Sequence, residues 1–170
     1  MSEEVTKRND TGLSLVDLTE IARIEKLRES IPCVDMYSAP LLMRDFMTTC
    51  VILAKAIQNV KNALSKAERD MAYEESKALL DRAPAYFAEH KVEGMKDSMT
   101  MRQAYVPMDE PFRVAGERRD ALAALLRYLE DRKKIAEADH YTVKSIYTKM
   151  ENPHGGVAGM RSGGELGEVE

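Results

Sequence analysis

The stretch that decides the fold is MRDFMTTCVILAKAIQNVKNALSKAERDM, residues 43–71. Its apolar residues alternate at spacings of three and four without a gap: Met43, Phe46, Cys50, Leu53, Ile57, Val60, Leu64, Ala67 and Met71. A repeat that averages 3.5 residues keeps one narrow stripe of a helix turned towards a partner along its whole length. The stretch therefore predicts a long helix with a coiled-coil-like seam, which pairs either with a second helix of the chain or with a neighbouring subunit.

A second seam of the same spacing lies near the C-terminus. It consists of Leu122, Leu125, Leu129, Arg132, Ala136, Asp139, Val143, Ile146 and Met150. Polar residues on a seam can fix the register or the oligomeric state, but we interpret Arg132 and Asp139 as the edge of a wider apolar face. The pattern predicts a helix from Phe112 or Arg113 to Asn152–Pro153.

The remaining segments complete an all-α fold of elongated helices that form a hairpin or bundle. We expect a short helix over 13–31, a long helix from Pro40 to about Leu80 that Pro84 breaks or kinks, and a loop-rich excursion over 84–112 with room for a short helix. The predicted organisation is a disordered arm (1–12), one helical domain (13–151) and a disordered, Gly-rich acidic tail (152–170). The residues predicted to hold subunits together are Phe46, Leu53, Ile57, Val60, Leu64, Leu122, Leu125 and Leu129.

The composition argues against several classes of protein. The chain has 170 residues, a net charge of −4 and no Trp, and 6 % of its residues are aromatic. It is not basic overall, although a local basic surface remains compatible with this charge. Cys33 and Cys50 are not spaced as metal ligands, which indicates a reducing, cytoplasmic setting. The polar start MSEEVTKRND and the lack of an apolar run of about 20 residues predict neither secretion nor membrane insertion.

Catalytic and metal-binding patterns are not found in the sequence. His90, His140 and His154 are not at metal-ligand spacing, and no P-loop or GxGxxG pattern follows a strand. Glu74–Glu75 and Asp109–Glu110 are adjacent pairs, which do not face each other on a helix. We therefore expect no enzymatic activity, no metal and no cofactor.

Positive charge is concentrated along the first long helix. Between positions 55 and 69 four cations face one acid, Glu68, which gives a net charge of +3, and two more cations follow. Such a run is either the solvated face of an amphipathic helix or a strip that binds phosphates. Tyr73, Tyr86, Phe87 and Tyr105 lie nearby and could stack on bases, although core packing explains them equally well. The candidate DNA-binding residues are Lys55, Lys61, Lys66, Arg69, Lys77 and Arg82.

The layout of residues 36–150 resembles the phage recombination mediators of the UvsY family. The resemblance runs through MYSAPLLMRDFMTTCVILAKAIQNVKNALSKAERD and EESKALLDRAPAYFAEH. It is clearest in SMTMRQAYVPMDEPFRVAGERRDALAALLRYLEDRKKIAEADHYTVKSIY, where an irregular stretch leads into a long helix that ends in a Lys–x–Ile pair, Lys144–Ser145–Ile146.

The resemblance implies a helical, non-catalytic protein that forms ring-like homo-oligomers of six to seven subunits. Such a protein binds single-stranded DNA and helps to load a RecA-like recombinase onto strands covered by single-strand-binding protein. In the family a Lys–x–Arg segment after the first long helix is associated with strand binding. Its nearest counterpart is Lys77 with Arg82, but this chain lacks that spacing and Glu74–Glu75 stand directly before it.

A second interpretation uses the same heptads without nucleic acid. The chain would then be a phage structural or adaptor protein that oligomerises through its helices. The acidic pI favours this interpretation, whereas the clustered charge at 55–69 favours the mediator.

Overall fold

The computed structural model describes residues 18–90 and 98–153, and within these ranges it contains helices and no strand. The helices are α1 (Leu18–Glu29), α2 (Ser38–Lys77), α3 (Ala83–Glu89), α4 (Met99–Tyr105) and α5 (Glu110–Glu151). Two helices of 40 and 42 residues dominate the chain, so the all-α prediction is confirmed. The predicted arm, the start of the first helix and all of the predicted tail beyond Pro153 lie outside the described residues.

Side-chain caps fix where the two long helices begin. Asp35 Oδ1 accepts hydrogen bonds from the N–H groups of Tyr37 at 2.9 Å and Ser38 at 2.7 Å. Ser38 Oγ accepts in return from the Asp35 N–H at 3.0 Å. Bonds to the backbone and side chain of Ser38 lower the pKa of the Asp35 carboxyl. At α5, Asp109 Oδ2 accepts from the Phe112 N–H at 3.2 Å, which satisfies one of the free donors of the first turn.

The prediction of a loop-rich excursion over 84–112 is wrong. A π-helical turn, Ala78–Arg82, leads from α2 directly into α3, and Pro84 lies in the first turn of α3. Because the helical path is continuous here, the missing N–H of Pro84 interrupts its hydrogen-bond ladder, and the π turn lies directly before this interruption. Ser98 caps α4, where its Oγ accepts from the Met101 N–H at 3.4 Å. Prolines and caps lie at the starts of helices that are too short to show a period in the sequence.

The chain divides into two compact units, and α2 and α5 contribute residues to both. In the unit that includes residues 52–132, α2 and α5 run antiparallel, because Lys61 pairs with Glu130 while Gly116 lies beside Met71. The buried apolar side chains of this unit are Leu53, Ile57, Val60, Ala67, Ala78, Ala83, Val106, Leu122 and Leu129.

The other unit includes residues 19–51 and 133–153. Its core consists of Ala39, Leu42, Phe46, Cys50, Ala136 and Val143, with Leu27, Ile31, Val34, Met43 and Tyr147 packed against it. Asp139 is buried and faces Arg28 Nε at 3.5 Å. The Asp139 side chain keeps 12 % of its surface exposed and its partner Arg28 is 60 % exposed, so the pair lies at the margin of the packed face and does not overturn the interpretation of Asp139 as an edge residue.

The first heptad seam is used inside the chain. Among the predicted subunit contacts, Phe46, Leu53, Ile57, Val60, Leu122 and Leu129 are buried within one chain, and Leu64 and Leu125 are half-buried. Burial of this kind turns most of these side chains towards the rest of the chain, while Leu64 and Leu125 keep part of their surface exposed. The role of these eight residues in holding subunits together stays a prediction. None of the described helices combines the length and apolarity that crossing a membrane requires.

Candidate nucleic-acid interface

The α2 helix presents an exposed face that carries positive charge and no carboxylate. At 100° per residue, nine positions between 55 and 77 fall within an arc of about 100° opposite the buried seam. All nine side chains are exposed. We call this face the outward stripe: Lys55, Gln58, Asn59, Asn62, Lys66, Arg69, Tyr73, Ser76 and Lys77.

Four cations of the outward stripe are available to an anion. Lys55, Lys66 and Lys77 recur every eleven residues, which is close to three helical turns and places them about 16 Å apart along the axis. Arg69 lies one turn beyond Lys66, and its Nε donates to the Ser65 carbonyl at 3.2 Å. Across residues 18–90 and 98–153, neither Lys55 nor Lys66 forms an ion pair. A phosphate backbone that follows the helix would therefore meet cations that need not first break an ion pair.

Lys61 lies apart from the outward stripe. It is about 120° away from Lys55 around the helix, and its Nζ pairs with Glu130 Oε1 at 3.1 Å. Glu68, the acid within the basic run, points about 140° away from Lys55. The rotation of the helix thus separates one predicted binding cation, and the neighbouring acid, from the four that share a face.

Arg82 is engaged within the chain. Its guanidinium donates from Nε to Asp109 Oδ1 at 2.8 Å and from Nη2 to Asp109 Oδ2 at 2.7 Å. Nη2 also donates to the Glu74 carbonyl at 2.9 Å and lies 2.9 Å from Glu74 Oε2. Burial alone lowers the pKa of Arg82, but the bonds to Asp109 and Glu74 outweigh it and the pKa is raised. Arg82 holds the π turn against the start of α5, and we leave it out of the interface.

The aromatic residues divide into two groups. The Tyr86 ring lies 5.1 Å from that of Tyr105 and 4.2 Å from that of His90, and the Phe87 ring lies 6.3 Å from that of Tyr105. Burial raises the pKa of Tyr105, as does the nearby Asp109. These rings pack on one another between α3 and α4, with Tyr86 still 37 % exposed. Tyr73, by contrast, is 57 % exposed and belongs to the outward stripe.

An acidic groove borders the outward stripe on one side. Asp70, Glu74, Glu110 and Arg118 line a space of about 460 Å³ between α2 and α5. Three carboxylates against one guanidinium disfavour a phosphate in this groove. Among the described residues no group of three His, Cys, Asp or Glu side chains is arranged to hold a metal ion. The contrast in charge makes the outward stripe, and not the groove, the surface that attracts phosphates.

The sequence contained a signal for the outward stripe that net charge does not reveal. The eleven-residue recurrence of Lys55, Lys66 and Lys77 identifies the lysines that share a face, and it excludes Lys61. The contribution of Arg82 to folding had no such signal, since its partner Asp109 is 27 residues away along the chain. Comparison with protein-family models, curated proteins and solved structures gave no match, so the resemblance to the UvsY family stays a prediction.

Proposed function

We propose that this protein is a recombination mediator that binds single-stranded DNA along the outward stripe. In this role it helps a RecA-like recombinase to replace single-strand-binding protein on the strand. The observation that carries the proposal is the exposed row of Lys55, Lys66, Arg69 and Lys77 on one face of α2, with no carboxylate among the intervening positions of that face.

The character of the outward stripe favours sequence-independent binding. Lysines and an arginine neutralise phosphates, and the amides of Gln58, Asn59 and Asn62 between them can donate to phosphate or sugar oxygens. Binding of this type is driven mainly by release of counterions, so its affinity falls steeply with salt. These properties suit a protein that must bind a strand of any sequence and later release it.

The partners follow from the same proposal. They are single-stranded DNA, a RecA-like recombinase, single-strand-binding protein and further copies of the chain in a ring, all in the host cytoplasm. Several copies in one assembly would multiply a modest affinity per subunit, because each bound stripe raises the effective concentration of the next. Since the seams are buried inside the chain, ring contacts would use exposed surface.

The functional experiment measures recombinase loading. A RecA-like recombinase is added to single strands already covered by single-strand-binding protein, and its DNA-dependent ATPase is followed with and without this protein. We expect a shorter lag with the wild-type chain, and no shortening with a chain in which Lys55, Lys66 and Arg69 are all Ala. A lag that the wild-type chain does not change would refute the mediator role even if the protein bound DNA.

A second candidate is a structural or adaptor protein, and an apolar surface near the start of α2 favours it. Tyr37 is 89 % exposed, and Leu41, Met47 and Val51 are each at least half exposed. Exposed apolar side chains that cluster on one face often mark a contact with another protein. Under this alternative Leu41→Ser with Val51→Ser abolishes assembly, as light scattering would show, while substitutions in the outward stripe have no effect.

A further inference from the structure

We infer that Tyr73 is a stacking platform for one base of the bound single strand. This inference rests on the proposed function and adds a specific contact to it. It assigns to the site a preference for unpaired bases, which the cations alone do not provide.

The position of Tyr73 separates it from the aromatic residues that pack internally. Its ring is 57 % exposed on the outward stripe, one turn beyond Arg69 and one turn before Lys77. Lys77 Nζ lies 4.9 Å from the centroid of the ring. Hydrogen bonding to the Tyr73 side chain is the main cause that raises the pKa of Lys77, so the ammonium beside the ring stays charged.

The spacing suits a nucleotide strand. Arg69 and Lys77 are eight residues apart, which is about 12 Å along the helix axis, and the ring lies midway between them. A strand whose phosphates contact both cations would pass over the tyrosine, and a base turned towards the helix would meet its ring. Aromatic platforms between cations are a common device for binding single strands without sequence preference.

The contact discriminates against duplex DNA. In a duplex the faces of the bases are covered by their neighbours in the stack, so no base face is available to the ring. In a single strand every base has a free π-face. Lysines and the arginine bind phosphates of both forms, and Tyr73 adds affinity for the unpaired form alone.

A matched residue on α5 provides the control. Tyr128 is 40 % exposed and carries a cation at the same spacing, with Arg132 Cζ 5.1 Å from its ring centroid. On its own face of α5 the positions one turn away include Leu125, Asp131 and Arg132, so an apolar side chain and a carboxylate lie on this face in place of a row of cations. Tyr128→Ala therefore removes the same side chain from a similar local setting outside the outward stripe.

The first test measures affinity by fluorescence anisotropy with labelled oligothymidine and with an abasic strand of equal length. Tyr73→Ala should weaken binding to oligothymidine about five- to tenfold, leave binding to the abasic strand unchanged, and be rescued by Tyr73→Phe. Tyr128→Ala should bind like the wild type. Circular dichroism verifies the fold of each variant, and because the Tyr73 side chain is exposed, both Tyr73→Ala and Tyr73→Phe should stay folded.

The second test uses the fact that the chain contains no Trp. In Tyr73→Trp the single indole reports on position 73, and its emission should be quenched by oligothymidine and not by the abasic strand. In Tyr128→Trp neither strand should quench it. Salt-sensitive binding of the wild type without any effect at position 73 in either test would overturn the stacking and leave the proposed function standing. No binding of the wild type to oligothymidine would overturn both.

Discussion

Neutralising two lysines of the outward stripe tests its electrostatics quantitatively. Lys55→Ala with Lys66→Ala removes two of four aligned cations, and neither lysine is engaged in an ion pair with another described residue. Each phosphate contact with a single strand contributes about −0.7 to the slope of log K against log salt. Four contacts give a slope of about −2.8, and the double variant should show about −1.4.

These slopes translate into measurable affinities. Between 50 and 200 mM salt the wild type should lose about 50-fold in affinity and the double variant about sevenfold. If both proteins converge at 1 M salt, the variant should bind about tenfold more weakly at 0.2 M, or about 1.4 kcal/mol. The assay is anisotropy of labelled oligothymidine over this range of salt. Because both sites are exposed and Ala favours helices, the free energy of unfolding of the variant should lie within about 0.5 kcal/mol of the wild-type value.

A control with the same change in charge isolates the outward stripe. Lys144 and Lys149 are exposed lysines on α5, and replacing both by Ala takes the net charge from −4 to −6, as the test variant does. The control should keep the wild-type slope. Equal salt slopes for the wild type and the Lys55/Lys66 variant would refute the assignment of the outward stripe. An equal loss of affinity in both double variants would refute it as well.

Three further predictions concern stability and reactivity. Ile57→Asp buries an unpaired carboxylate at a cost of about 3–5 kcal/mol, so circular dichroism should show an unfolded chain. A folded helical variant would contradict the burial of the seam inside one chain. Asp109→Ala removes both the cap of α5 and the main partner of Arg82, so the free energy of unfolding measured with urea should fall by about 3 kcal/mol. Asp109→Asn keeps a capping oxygen and should lose less. An unchanged denaturation midpoint in both variants would mean that the cluster does not stabilise the fold. Burial and the nearby Glu137 raise the pKa of the Cys50 thiol. At pH 8 an aromatic disulfide reagent should therefore react rapidly with the exposed Cys33 alone, and with Cys50 only after denaturation. Two rapidly reacting thiols in the folded protein would contradict this.

The sequence predicted the long helices because their packing is periodic. The positions buried in α5 include Leu122, Leu129, Ala136 and Val143, which follow one another at intervals of seven. A heptad pattern of this length has few structural alternatives. It did not reveal whether the seam pairs within the chain or between chains, because both arrangements bury the same stripe.

The errors arose where local or long-range contacts outweigh periodicity. α3 and α4 have seven residues each, too few to display a helical period, and their caps and prolines resemble loop signals. Arg82 was interpreted as a DNA-binding residue because its partner Asp109 is distant in sequence. Four of the six candidate DNA-binding residues lie on the outward stripe. Counting charge along the chain does not distinguish these four from Lys61, which lies on another face of the same helix.

Binding of single-stranded DNA by this protein is tested most directly by comparing the affinity of the wild-type chain for single-stranded and duplex DNA of equal length. Labelled oligothymidine and a duplex of the same length are titrated with the folded protein at 50 and 200 mM salt, and their anisotropy is followed. We expect tighter binding to the single strand than to the duplex, and a loss of about 50-fold in affinity between 50 and 200 mM salt. Absence of binding at 50 mM salt, or affinity for the single strand that salt does not change, would contradict it.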